Sequence, residues 1–221
     1  MEKRGLIIGE YRTVADGKWL LTSLSFSEPA QVTNFVDVPG RRKGPLDLST
    51  ALTDGDPVYG SRTLTAVFES SEGTRLERES RIQTMVNWLD GWVLDIILPD
   101  DPRHYVRGRV HVKPLYNDMA HASVQVTATC EPWRYNVEET EVTLTASDTA
   151  ETATLYNQGR LAVVPLLTVS GGDVNLQTGD LSWALSEGVY ALPDLLMLQG
   201  GKVITYSGAG TLNFKYREAI L

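Results

Sequence analysis

Apolar and polar residues alternate with a period of two along most of the chain, which predicts β-strands. In the segment HASVQVTATCEP, the inward face consists of Ala122, Val124, Val126, Ala128 and Cys130. The segment RTLTAVFES places Leu64, Ala66 and Phe68 on one side in the same way. KWLLTSLSF, EVTLTAS and GTLNFKY are further candidates. Because successive side chains of a strand point to opposite faces, these segments predict half-buried antiparallel strands.

One segment, SEGTRLERESRIQTMVNWLDG, has a different period. Its apolar residues stand at helical spacing among charged ones: Leu76, Ile82, Met85, Val86 and Leu89. Ser71 or Thr74 is placed to cap the start of a helix, and Gly91 is placed to end it. The sequence therefore predicts one amphipathic helix at about residues 74–90, with its apolar stripe in the core.

The stretch IILPDDPRHYVRGRV crowds aspartates, a histidine, a tyrosine and arginines into a short span. The flanking segments GWVLDIIL and YVRGRVHV are rich in branched and aromatic residues, as strands are. Proline favours the second position of a tight turn, and an aspartate before it can accept hydrogen bonds from turn amides. The stretch therefore predicts a β-hairpin with its turn at Asp100, Asp101 and Pro102.

A change of composition near residue 135 predicts two domains. Residues 1–135 hold 16 basic and 18 acidic side chains, whereas residues 136–221 hold 4 and 10. The polar connector EPWRYNVEETE leads into a second strand-rich region, in which Gly171-Gly172, Gly179-Asp180 and Gly200-Gly201 are spaced like hairpin turns. We expect an N-terminal β domain at 1–135 and a small C-terminal β-sandwich at 136–221.

Composition and charge narrow the function classes. The net charge of -8 argues against a duplex-binding surface, which needs clustered lysine and arginine. No apolar run approaches the ~20 residues that span a bilayer, and the opening MEKRGLIIGEYR lacks the apolar region of a secretory signal. We therefore expect no membrane association and a protein that stays where it is made. The single cysteine, Cys130, forbids an internal disulfide.

Motifs for catalysis or metal binding are not found in the sequence. Neither GxSxG nor GxxxxGK[ST] occurs, and the Gly-x-Gly in SGAGTLNF is followed by strand-like residues instead of a helix. The candidate zinc ligands, His104, His111, His121 and Cys130, do not have the spacing of structural zinc sites. We predict no cofactor, no metal and no catalytic set. An enzyme hypothesis would need Asp100, Asp101 and His104 to act together as in a metal-dependent hydrolase.

Two surface features leave alternatives open. Arg41, Arg42 and Lys43, in VDVPGRRKGPLD, form either a solvated loop or a loop that reaches an acidic partner surface. Three aromatic residues of the second domain could stack on sugar rings, but their strand-like apolar contexts predict core positions: Tyr156, Trp183 and Tyr190. A carbohydrate-binding module that recognises host-wall sugars is the alternative function.

The order of features along nearly the whole chain resembles the distal tail (Dit) proteins of long-tailed phages. In the first domain the resemblance rests on VPGRRKGPLDLSTAL, YGSRTLTAVFE, the helix before NWLDG, DDPRHYVRGRV and the strand that ends TCEPWRY. In the second it rests on LYNQGRLAVVPLLTVSG, with Asn157, Gly159 and Pro165, and on GGKVITYSGAGTLNFKYREAIL.

This resemblance implies a fold and a set of partners. The fold would be mainly β: an N-terminal β-sandwich related to the tail-tube fold, with one helix and a protruding hairpin, and then a galectin-like C-terminal β-sandwich. The protein would be a non-enzymatic virion component, assembled in the host cytoplasm and located in the viral tail. It would form a homo-hexameric ring between the tail tube protein and a Tal-like tip protein of the hub or baseplate, near the tape measure protein, with DNA passing through its lumen.

The candidate contact residues are the basic residues of the loop and of the hairpin. They are Arg41, Arg42, Lys43, Arg103, His104 and Arg107. Charges at the rim of an interface steer association and fix its register.

Overall fold

A computed structural model describes residues 5–40, 44–53 and 55–221, and it divides into two compact units, Met1–Pro132 and Trp133–Leu221. In the first unit the elements are β1 Ile7–Ile8, β2 Tyr11–Arg12, β3 Leu20–Phe26, β4 Phe35–Val36, β5 Leu46–Asp47, β6 Arg62–Ser70, α1 Arg75–Leu89, β7 Val93–Leu98, β8 Asp101–Asn117 and β9 Ala122–Cys130. Seven of these strands form one antiparallel sheet in the order β2-β1-β7-β8-β9-β6-β3. Strands β4 and β5 form a separate two-stranded ribbon.

The period-two prediction for β6 and β9 is confirmed. These strands pair along their whole length, and their predicted inward residues lie in the core with Trp19, Ile8 and Leu6. Helix α1 packs on the same core through Ile82, Met85 and Leu89. The apolar faces of the strands and the helix thus close one hydrophobic core in the first unit.

Helix α1 begins and ends close to the predicted positions. Thr74 is its N-cap: the Thr74 hydroxyl accepts from the backbone N–H of Glu77 at 3.3 Å, and the Glu77 carboxylate accepts from the backbone N–H of Thr74 at 2.7 Å. The predicted stripe is wrong at Leu76, which is 80% exposed, and the charged Arg78, outside that stripe, is buried. Arg78 lies inside because its guanidinium finds backbone carbonyl acceptors there, at Gly73 and Asp118.

The β7–β8 hairpin is confirmed, but the predicted turn is displaced. Leu98 pairs with Asp101, so the turn residues are Pro99 and Asp100, and Asp101 and Pro102 belong to β8. Ile97 pairs with Tyr105, which leaves residues 102–104 as a bulge. Pro102 has no N–H to donate to the ladder, and a proline within a sheet is accommodated at such a bulge.

The second unit contains two four-stranded antiparallel sheets that share one core. Its elements are β10 Arg134–Asn136, β11 Thr140–Thr145, β12 Glu151–Asn157, β13 Leu166–Ser170, β14 Val174–Thr178, β15 Leu181–Leu185, β16 Gly188–Ala191, a 3₁₀ turn at Pro193–Leu195, β17 Gly200–Gly208, β18 Thr211–Tyr216 and β19 Ala219–Ile220. The sheet orders are β11-β18-β13-β16 and β12-β17-β14-β15. Leu155, Leu176 and Phe214, all fully buried, lie in the shared core. β10 pairs with β19.

The residues Asn157 and Gly159 stabilise this second unit. The buried Asn157 side chain donates to the carbonyls of Leu161 at 2.9 Å and Met197 at 3.1 Å, and accepts from the Gly159 N–H at 3.0 Å. A Cβ on Gly159 would lie 2.6 Å from the backbone of Ala219, so only glycine fits. These two residues therefore have a structural role.

The predicted fold class, mainly β with one α-helix, is confirmed. In the part of the chain that the structure describes, no helix combines the length and apolar character that crossing a membrane requires.

Candidate functional site

The first unit extends an arm, defined as residues 30–40 and 44–60 without Asp54. In the described chain, no residue of the arm is buried, and none belongs to the core of the unit. The two segments of the arm run antiparallel. The N–H of Val32 donates to the carbonyl of Val58 at 2.8 Å, and the N–H of Leu48 donates to the carbonyl of Asn34 at 2.8 Å. The arm is therefore held together mainly by its own backbone hydrogen bonds.

Polar side chains fix the ribbon within the arm. The Ser49 hydroxyl accepts from the backbone N–H of Asn34 at 2.8 Å, and the Asp47 carboxylate accepts from that of Ser49 at 2.9 Å. Hydrogen bonds from the Ser49 side chain and backbone hold the pKa of Asp47 below its ordinary value. These local contacts give the arm a defined shape in a single chain.

The arm carries large apolar side chains into solvent. Phe35 is 59% exposed and Leu52 is 99% exposed. The other exposed apolar residues of the arm are Val32, Val36, Val38, Leu46, Leu48 and Val58. Such a concentration of exposed apolar residues is typical of interaction surfaces.

The predicted contact residues Arg41, Arg42 and Lys43 lie outside the described residues, between Gly40 and Gly44 of the arm. Arg103 and His104 lie in the β8 bulge, where Arg103 is exposed. The Nδ1 atom of His104 is 2.7 Å from Oδ1 of Asp101. Arg107 lies two residues beyond Tyr105 on β8 and pairs with Asp95 of β7.

Arg107 makes a bidentate ion pair within the chain. Its Nε and Nη2 donate to the two carboxylate oxygens of Asp95 at 2.7 and 3.1 Å. This pairing raises the pKa of the Arg107 guanidinium above its ordinary value. Both side chains remain about half exposed, so a partner could reach the pair at the surface. The two charges nevertheless already neutralise each other within the chain.

A second exposed surface was not predicted from the sequence. Trp88, in the last turn of α1, and Trp92, just after it, are 57% and 63% exposed. Val93, the first residue of β7, is half exposed. The Trp88 ring meets the Tyr11 ring edge-on with 6.4 Å between centroids. The sequence signal for this surface was the pair of tryptophans in NWLDGW. Neither belongs to the predicted apolar stripe of the helix, so neither was placed in the core by that pattern.

Known proteins were compared with the chain by sequence and by structure. No protein-family model matches the chain, and no curated protein matches it either. Among solved structures, the crystal structure of the Dit protein of phage SPP1 matches with a TM-score of 0.66 and 15% sequence identity. The match covers 98% of this chain and 99% of that one. The chain has the Dit fold.

The resemblance to Dit proteins is therefore confirmed at the level of the fold. The SPP1 Dit protein is described as a paradigm of the hub adsorption apparatus in phages that infect Gram-positive bacteria. Because the Dit fold of this chain matches over both units, the correspondence includes the arm-bearing unit and the sandwich unit.

The described residues of this Dit fold offer few groups suited to metal binding or nucleophilic catalysis. In residues 5–40, 44–53 and 55–221, no group of three or more histidine, cysteine, aspartate or glutamate side chains could hold a metal ion. Burial raises the pKa of the Cys130 thiol to about 11, which makes it a poor nucleophile. His111 and Asp90 form a second close pair, with 2.7 Å between Nδ1 and Oδ1.

The prediction that Tyr156 lies in the core is wrong. Tyr156 is on the outward face of β12 and is 60% exposed, because its neighbours Leu155 and Asn157 take the inward positions. Trp183 and Tyr190 pack partly buried against the core of the second unit.

Proposed function

We propose that the chain is a structural subunit of a phage tail, located in the hub at the distal end of the tail. The observation that carries this proposal is the likeness to the SPP1 Dit protein over almost all of both chains. A match of this extent includes both units in the same order, which a shared single β-sandwich would not give. The proposed role is structural and non-enzymatic.

The partner of the arm is proposed to be a second copy of the same chain. An arm of fixed shape that carries Phe35 and Leu52 into solvent is suited to reach a neighbouring subunit. Full burial of a Phe or Leu side chain contributes about 1.5–3 kcal/mol, so covering several arm residues would stabilise a ring substantially. Repetition of one such contact around an axis closes a ring, which we propose to be hexameric.

The edges of the first sheet offer a further contact. β3 is the terminal strand of the sheet order and has seven residues. A strand at a sheet edge presents unpaired backbone groups that a strand from a neighbour can pair with. We propose that β3 takes part in joining subunits, with Arg103 and the basic triplet 41–43 at the rim of the contacts.

The ring is proposed to connect the tail tube protein to a Tal-like tip protein of the baseplate, with the tape measure protein and then DNA passing through its lumen. The net charge of -8 supports a lumen that does not retain DNA, because acidic walls do not bind phosphates. The siphophage virion tail, assembled in the host cytoplasm, is the proposed location.

The oligomeric state of the purified chain tests this proposal. Size-exclusion chromatography with light scattering is expected to give six times the mass of one 24.4 kDa chain for the protein alone, and a larger mass when tail tube protein is added and binds the ring. Electron microscopy of the same fraction is expected to show rings with a central channel. A protein that stays monomeric at high concentration, and forms no rings with the tube protein, would contradict the proposal.

The location is tested on virions. Antibody raised against the chain and coupled to gold is expected to label the distal end of the tail in electron micrographs. Label on the capsid or along the whole tube, or particles whose tails lack the chain, would overturn the hub assignment.

A further inference from the structure

The outer face of the β12-β17-β14-β15 sheet carries no charged residue. Beyond the first residues of each strand, buried and outward positions alternate, and the outward ones hold hydroxyl, amide, small or apolar side chains without any Asp, Glu, Lys or Arg. Glu151, at the exposed start of β12, belongs to the inward set, and its carboxylate accepts from the hydroxyl of the buried Tyr206 at 3.2 Å. The opposite sheet of the same unit differs, because Lys215 and Glu141 form an ion pair on its outer face with 3.4 Å between Nζ and Oε1.

Tyr156 is fixed on this face by a glycine. In the β12–β17 register Tyr156 lies opposite Gly201, and a Cβ built on Gly201 would be 3.2 Å from Cε1 of the Tyr156 ring. The ring therefore lies across the space that a side chain at position 201 would fill. It stays 60% exposed, and its hydroxyl makes no hydrogen bond to the described residues. Tyr156 thus offers an apolar platform with a free polar tip.

A shallow cleft of about 230 Å³ lies on the same face, over β14, β15 and β17. The outward side chains around it include Asn175, Gln177, Ser182, Thr205 and Ser207. The Asn175 amide makes no hydrogen bond within the described chain, and the Gln177 amide donates only to the Gly179 carbonyl at 3.1 Å. Amides and hydroxyls both donate and accept hydrogen bonds, as sugar hydroxyls do.

The platform and the cleft are aligned along one strand. Gly201, beside the Tyr156 ring, and Thr205, in the cleft, are four residues apart on β17. At about 3.3 Å per residue this separation is ~13 Å. A ligand that occupies both places is therefore an extended chain and not a single small molecule.

We propose that this face binds a neutral polysaccharide, with a sugar ring packed on Tyr156 and the next units hydrogen-bonded over Asn175 and Gln177. Sugar rings present apolar C–H faces that pack on an aromatic ring, and hydroxyls that match the uncharged donors and acceptors. An anionic polymer would find no cation on the face. A protein partner is disfavoured, since Tyr156 and Val203 are the large exposed apolar residues on it and an interface core needs more. The inference is independent of ring assembly.

A glycan array of neutral and anionic oligosaccharides, probed with the full-length protein, tests the proposal. Binding is expected to a subset of neutral glycans and not to a polyglycerol-phosphate probe. Tyr156→Ala is expected to weaken the affinity for the best neutral glycan at least about tenfold, and Tyr156→Phe by much less. Gly201→Leu is expected to reduce binding as Tyr156→Ala does, because its side chain would displace the ring.

Val189→Ala is the matched control, because Val189 is a comparably exposed residue on the outer face of the other sheet. It is expected to leave glycan binding unchanged. All variants are compared by thermal unfolding and by oligomeric state, and Tyr156→Ala is expected to assemble as the unmodified protein does. Absence of binding to every neutral glycan, preference for the anionic probe, or equal affinity of Tyr156→Ala would each overturn the proposal without affecting the tail-hub function.

Discussion

Arg78 ties the start of helix α1 to the turn between β8 and β9. The side chain is 1% exposed, and its two terminal nitrogens donate to the carbonyls of Gly73 at 2.6 Å and Asp118 at 2.8 Å. Asp118 in turn accepts from the backbone N–H groups of Ala120 and His121, which closes that turn. One buried cation therefore stabilises two loops of the first unit.

Replacement of Arg78 is expected to be strongly destabilising. Arg78→Ala leaves two carbonyls without their charged donor and opens a cavity, so the free energy of unfolding should fall by about 2–3 kcal/mol. Arg75→Ala, at an exposed position of the same helix, should change it by less than about 0.5 kcal/mol. Urea unfolding of both variants measures the difference. Equal stabilities of the two variants would contradict this role for Arg78.

Asp90 makes the stability of the first unit depend on pH in the acidic range. Its carboxylate accepts from the backbone N–H of Val112 at 2.8 Å and lies against His111, and mainly the Val112 hydrogen bond holds the pKa of Asp90 below its ordinary value. A carboxyl group whose pKa is lowered in the folded state contributes stability above its unfolded pKa of about 3.9. That contribution is lost as the pH falls through the folded-state pKa.

Asp90→Asn is therefore expected to be less stable than the unmodified protein at pH 7. The difference should shrink as the pH falls below about 4, because protonation removes the same charge from the unmodified protein. Urea unfolding at pH 7 and pH 3 measures both values. A stability difference that stays constant between these pH values would show that the Asp90 charge has no part in it.

At the scale of the elements, the two ends of helix α1 are set by residues close to each other in the sequence. The reciprocal hydrogen bonds of Thr74 and Glu77 satisfy donors at its start, and they hold the pKa of Glu77 below its ordinary value. Gly91, with φ of 81°, follows the helix in the left-handed region that glycine tolerates. Both signals are readable in the sequence because caps involve residues only a few positions apart.

Thr74→Ala is expected to lower the free energy of unfolding by about 1 kcal/mol, because the helix loses its N-cap acceptor. Thr74→Ser keeps the hydroxyl and should be close to neutral. Thermal unfolding followed by circular dichroism distinguishes the two variants. If the serine variant loses as much stability as the alanine variant, the cap hydrogen bond is not the cause.

At the scale of the whole molecule, the arm is the surface that we propose for subunit contact. The arm contributes no side chain to the core of the first unit, so its apolar residues can be changed without opening a cavity. The double variant Phe35→Asp with Leu52→Asp is expected to stay folded and to become monomeric, because carboxylates would be forced into the subunit contact. Leu198→Asp, at a comparably exposed position of the second unit, is the control and should still assemble.

Light scattering measures the mass of each variant, and thermal unfolding measures its stability. A double variant that assembles as the unmodified protein does would show that the arm is not part of the subunit contact. A double variant that fails to fold would instead show that the arm contributes to the unit itself.

The sequence by itself determined the elements whose information is local. The alternation in β6 and β9, the helical spacing around Ile82 and Met85, and the cap at Thr74 each depend on residues within one or two turns or on one strand face. The hairpin of β7 and β8 was predictable for the same reason, but its turn position was not. The bulge at residues 102–104 depends on the pairing register, which both strands set together.

Only the tertiary structure decided which side chains stay exposed. Leu76 belongs to the predicted apolar stripe of the helix and Tyr156 follows the buried Leu155, yet both lie in solvent. Arg78 is charged yet buried beside two carbonyl groups. The arm has the sequence pattern of a loop with short strands. Its exposure could not be predicted from that pattern, because whether a segment has a packing partner depends on residues far away in the sequence. Burial is set by what the other elements bring alongside, and that arrangement exists only once the sheets and the helix have packed.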